Sequence, residues 1–121
     1  MKIVTHEVNS IRIAEVISDE CIVTTPDEAL QLLVDLYYQE FDKVILYAKN
    51  LHPDFFDLKT KMAGEILQKF SNYRVQLAIV GDFDQYPGKS LRDFIYECNK
   101  GRAVNFISPE QFKNMIGSEF S

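Results

Sequence analysis

Two runs rich in β-branched residues open the chain, Ile3 to Val8 and Ile11 to Ile17, with only Asn9-Ser10 between them. Strand-like runs joined by a short polar pair predict a tight β-hairpin. The period then changes. Thr25 offers a hydroxyl to the free N–H groups of a helix start, Pro26 suits the first helical position, and Glu28 completes a capping box. Ala29, Leu30, Leu33, Leu36 and Tyr37 follow at helical spacing, which predicts a helix to about Glu40.

Beyond it, short apolar runs alternate with amphipathic stretches. Lys43 to Ala48 reads as a buried strand and Lys49 to Phe56 as a loop. From roughly Asp57, the positions Leu58, Met62, Ala63, Ile66, Leu67 and Phe70 mark a second helix. Val75 to Val80 is almost wholly apolar, as strands covered on both faces are. After a loop from Gly81 to Gly88, Ser90 and Asp93 give a capping signature. Leu91, Phe94, Ile95 and Cys98 form one face of that helix, and Gly101 stops it. Ala103 to Ile107 is the last strand, and Ser108-Pro109-Glu110-Gln111 opens a short terminal helix through Met115.

The order ββαβαβαβα predicts an α/β fold over residues 1–121. We expect a single domain with a mostly parallel sheet of about five strands, an N-terminal hairpin, about four helices and right-handed crossovers. Ligands of open α/β sheets collect beyond the carboxyl ends of the parallel strands. Here that rim holds Lys49 to Asp57, Gly81 to Ser90, and Ser108-Pro109. Phe55, Phe56, Phe83 and Tyr86 make its loops aromatic, either as a recognition surface or as a seal for the end of the sheet. Helix starts near Asp57 and Ser90 would favour an anion there.

Gly88-Lys89-Ser90 follows a strand and opens a helix, yet the phosphate-binding loop needs a glycine five residues before Gly88, where Phe83 stands. What survives is a weaker oxyanion contact through Lys89. Asp82 and Asp84 are spaced as magnesium-binding aspartates often are, or form a turn in which carboxylates bond the nearby backbone. His52, Asp54 and Asp57 suggest a metal cluster, but no further His or Cys stands at ligand spacing. His52, before a proline, reads as a loop residue, and His6 as a strand residue that packs or faces solvent. No Gly-x-Ser-x-Gly elbow exists, and neither Cys21 nor Cys98 lies beside a histidine.

Composition narrows the classes. With 46% hydrophobic and 26% charged residues in 121, the chain has the material for a packed core. A net charge of −5 argues against a nucleic-acid binder that works by bulk charge. No apolar run approaches the ~20 residues of a membrane helix, and the charged amino-terminal segment is unlike a signal peptide. Two distant cysteines suit a reducing cytoplasm. Residues 1–58 are acidic and 59–102 basic, a polarity that suits a protein partner or a second copy of the chain.

Several strings carry a resemblance. Asp54-Phe55-Phe56-Asp57-Leu58-Lys59-Thr60, Ala63-Gly64-Glu65-Ile66-Leu67-Gln68-Lys69-Phe70, Ala78-Ile79-Val80-Gly81-Asp82-Phe83 and Lys89-Ser90-Leu91-Arg92-Asp93-Phe94 resemble a bacterial family known only as a domain of unknown function, number 4180. The likeness runs from about Ile13 to Ile107, implies no activity, and implies a smaller residue where Lys61 stands. The order of elements is also similar to that of STAS domains. These are non-enzymatic modules that bind protein partners and are switched by phosphorylation near the helix after the third strand. That likeness implies Thr60 as the residue nearest the phosphorylated serine, although Asp57-Leu58-Lys59-Thr60 replaces the STAS Asp-Ser-Ser-Gly string.

The expectation is a STAS-like binding or regulatory module with no catalytic residues, cofactor or metal. It would bind a protein partner or small anion through Phe55, Phe56, Asp57, Thr60, Asp82, Phe83, Lys89 and Ser90. The alternative is a small phosphate- or metal-dependent hydrolase built on Asp82, Asp84 and His52.

Overall fold

The computed structural model describes residues 1–117; the last four residues of the domain expected over 1–121 lie outside the described residues. The strands are β1 (Lys2–Val8), β2 (Ile11–Ile17), β3 (Lys43–Tyr47), β4 (Gln76–Val80) and β5 (Val104–Ile107). The helices are α1 (Pro26–Tyr38), α2 (Met62–Tyr73), α3 (Lys89–Lys100) and α4 (Pro109–Gly117), so the chain order is the expected one. In space the strands also run β1-β2-β3-β4-β5, with β1 antiparallel to β2 and every other pair parallel. Asn9 and Ser10 turn the hairpin with φ of 53° and 68°, the positive pair that a two-residue loop of matching twist requires.

Because the strand order never reverses, right-handed crossovers carry each connecting helix to the same side. Leu33 and Leu36 of α1, Ile66 and Phe70 of α2 and Leu91 of α3 therefore share one core with Val44, Leu46, Leu77 and Ile79. The other face presents Ile13, Ile45, Ala78 and Val80, which pack with Phe112 of α4. Burial on both faces explains the unbroken apolar runs of β3 and β4.

Two helix starts follow the local chemistry closely. The Thr25 hydroxyl accepts from the Glu28 N–H at 3.2 Å, while the Glu28 carboxylate reaches one residue further back and accepts from the Thr24 N–H and hydroxyl. At α4 the box is reciprocal: Ser108 Oγ accepts from the Gln111 N–H at 3.1 Å, and Gln111 Oε1 from the Ser108 N–H at 2.8 Å.

The other two need correction. Helix α2 starts at Met62, not near Asp57, because the chain first makes 3-10 turns at Pro53–Phe56 and Leu58–Thr60. The Asp57 carboxylate accepts from the Lys59 N–H, and Lys61 then adopts a left-handed conformation at φ 65°. Such local side-chain bonds compete with a helix. Helix α3 begins one residue before Ser90. Gly88 caps it at φ 109°, so Ser90 and Asp93 lie within the helix instead of forming its cap.

Candidate functional site

Beyond the carboxyl ends of β3 and β4, the chain approaches itself closely. A Cβ on Gly81 would sit 2.8 Å from that of Ala48, so only glycine fits there without movement. This contact draws the two rim loops together, and their aromatic rings fill the gap. Phe56 stacks on Tyr86 at 4.5 Å between centroids, and Phe83 meets Phe106 edge-on at 5.3 Å. Phe55 is only 1% exposed and Phe56 8%, so both belong to the core, with Phe83 packed against it.

The segments around Asp57 and Ser90 are neighbours. Phe56, Asp57 and Lys59 form one wall, and Gly88, Lys89 and Ser90 the other, of an open cleft of about 640 Å³. No side chain caps the start of α3. Lys59 and Lys89 are exposed and bring positive charge from two separate elements. Asp57 is committed to its own turn through the Lys59 N–H at 3.2 Å. Thr60 is exposed but engaged: its hydroxyl lies 2.6 Å from the Asp54 carbonyl and 2.8 Å from that of Asp57, and accepts from the Met62 N–H. Asp82 and Phe83 line a separate cavity of about 320 Å³, together with Asp84 and Gln111.

One aspartate of that second cavity, Asp82, has a local task. Asp82 Oδ1 accepts from the Asp84 N–H at 3.2 Å and caps the turn Phe83–Gln85. His52 does the same for Pro53–Phe56, its Nδ1 accepting from the Asp54 N–H at 3.0 Å. Among the described residues no group of three His, Cys, Asp or Glu side chains is placed to hold a metal ion. Both cysteines are free thiols; burial, and then the charge of Glu97, push the Cys98 thiol up from its ordinary range.

Sequence reasoning missed a polar group on the α4 face. Glu15 is 8% exposed, and its carboxylate accepts two hydrogen bonds. His6 Nε2 lies 2.8 Å from Oε1, and the Tyr47 hydroxyl donates to Oε2 at 2.6 Å. Phe112 presses edge-on against both rings, with centroids 6.0 Å from His6 and 6.4 Å from Tyr47. Burial first, then the hydrogen bond and charge of Glu15, raise the Tyr47 hydroxyl above the ordinary tyrosine range, so it stays a donor. Half of this group had a signal. A two-residue turn fixes His6 opposite Ile13 and Val4 opposite Glu15, which makes His6 and Glu15 diagonal neighbours on one face. Tyr47 reaches them only through the β2–β3 pairing.

Asn50, fully buried, was also missed. Its Nδ2 donates at 2.8 Å to the carbonyls of both Ser18 and Glu20, and its Oδ1 accepts from the Tyr47 N–H. It pins the connection between β2 and α1 against the end of β3.

A family model described as a domain of unknown function (DUF4180) matches residues 8–114. The chain belongs to this family. No curated protein and no solved structure matched it. The DUF4180 description names no activity. Among the described residues, no helix is long and apolar enough to cross a membrane.

Proposed function

We propose that this DUF4180 protein is a non-catalytic binding module that takes an anionic group in the cleft between the Asp57 loop and the start of α3. One observation carries the reading: Lys59 and Lys89, from different elements, share a cleft with a helix start that no side chain caps. Free N–H groups and the helix dipole favour an anion, and the lysines add charge that can be tuned independently. Phe56 and Ser90 complete the walls, while Phe55 and Phe83 support the loops from below. The element order shared with STAS domains supports a regulatory role, with the anionic group carried by a partner protein. The free thiols Cys21 and Cys98 support a cytoplasmic setting.

The test is an NMR titration with inorganic phosphate and with a phosphoserine peptide. The expected result is movement of the Lys89, Ser90 and Leu91 amides, lost in the Lys59→Ala, Lys89→Ala double variant. Unmoved amides at roughly 20 mM of either probe, a concentration at which a site of millimolar Kd is nearly filled, would overturn the proposal.

A further inference from the structure

We infer that the cavity between the sheet and α4 is a second binding site, one for an organic cation, and that Glu15 is its anchor. This cavity, of about 670 Å³, is lined by Glu15, Tyr47, Glu110, Phe112 and Lys113 and shares no lining residue with the anion cleft. Glu15 is buried yet forms part of its wall. Among the described residues its hydrogen-bond and ion-pair partners are His6 and Tyr47, with no lysine or arginine among them. A carboxylate offers about four lone-pair sites, and these two partners occupy two. They fix the carboxylate in place without matching it with a permanent positive charge.

A buried carboxylate in that position favours a ligand that brings one. The surrounding rings narrow the ligand class. Tyr47 and Phe112 both line the cavity beside Glu15, so aromatic carbon forms part of its wall. An ammonium or guanidinium group fits both features: it donates to the open lone-pair sites of Glu15 and lies against aromatic carbon. Tyr47 supports the anchor by remaining a hydroxyl donor, which keeps Glu15 an acceptor. At the mouth, Glu110 assists a cation and Lys113 opposes it, so the mouth tunes affinity while Glu15 provides the contact.

The source of the cation is either a free small molecule or a side chain of a partner, and two kinds of probe separate them. Agmatine and butylamine represent free cations, an arginine-bearing tetrapeptide represents a partner, and pentanoate serves as the anionic control. Binding is read from the side-chain NMR signals of Tyr47 and Phe112 and by calorimetry on the full chain. We expect cation binding that Glu15→Gln weakens by roughly tenfold or more, the effect of losing one hydrogen bond to a charged group. Lys113→Glu lies on the exposed side of α4 and should tighten binding several-fold, which keeps the inference testable if Glu15→Gln fails to fold. Tighter binding of agmatine than of the tetrapeptide assigns the site to free cations, and the reverse assigns it to a partner side chain. Pentanoate binding as well as the cations, or an affinity unmoved by Lys113→Glu, overturns the inference. So does the absence of any shift at Tyr47 and Phe112.

Discussion

Leu46 and Tyr47 are adjacent in β3, yet they enter different environments. Leu46 joins the larger apolar core beneath α1, α2 and α3. Tyr47 points to the α4 side, where a nine-residue helix is the partner and Glu15 and His6 lie buried with it. Lys43, two pleats away on the same side, has its ammonium group pushed down by burial and reaches the Met115 sulfur at 3.8 Å. The contrast follows from topology. Three helices on one side supply an extensive apolar surface, and a single short helix on the other supplies less. Polar residues persist on the second face because they satisfy one another.

The largest expected effect tests the apolar side. Phe70→Ala, at a side chain 1% exposed, should cost about 3–5 kcal/mol in urea unfolding. If Phe112→Ala costs fully as much, the two faces contribute alike and the contrast fails.

On the second face, Glu15→Ala removes the shared acceptor of His6 and Tyr47 and leaves buried polar atoms without it. A loss of roughly 2–3 kcal/mol is expected, against about 1 kcal/mol for Tyr47→Phe. Equal losses would mean that the bonds to Glu15 do not act as a unit. Where the two rim loops meet, Gly81→Ala forces a methyl group to 2.8 Å from Ala48 and should cost about 1–3 kcal/mol, visible as a lower Tm.

A pH series separates the faces by chemistry. The hydroxyl of Tyr47 is raised in the folded chain above its ordinary 10.0, so its contribution is complete below that pH and lost as pH climbs through the folded value. Stability should therefore fall more steeply on the alkaline side than in Tyr47→Phe, whereas Phe70→Ala should leave that slope unchanged. The smallest effect is a gain. Lys61 sits at φ 65°, a region that favours glycine, so Lys61→Gly should stabilise the chain by up to about 1 kcal/mol. A loss instead would show that the lysine side chain contributes more than the turn costs.

What the sequence determined is what neighbouring residues decide among themselves. Hairpin register, the Thr25 and Ser108 caps and the order of strands and helices all follow from periods and short-range hydrogen bonds. Even the error at Asp57 was a local contest, in which turn-forming side chains displaced the first turn of a helix. Tertiary structure decided the rest. In one dimension the loop phenylalanines Phe55 and Phe56 fit either a recognition surface or a seal for the sheet, and the close approach at Gly81 and the packing of the rings make them core. Glu15, Tyr47 and Asn50 carry no motif, because their partners lie on other strands or loops and meet only once strand order and crossover hand have chosen a face. Side-chain convergence across a sheet is a property of pairing, and pairing is settled by the whole chain.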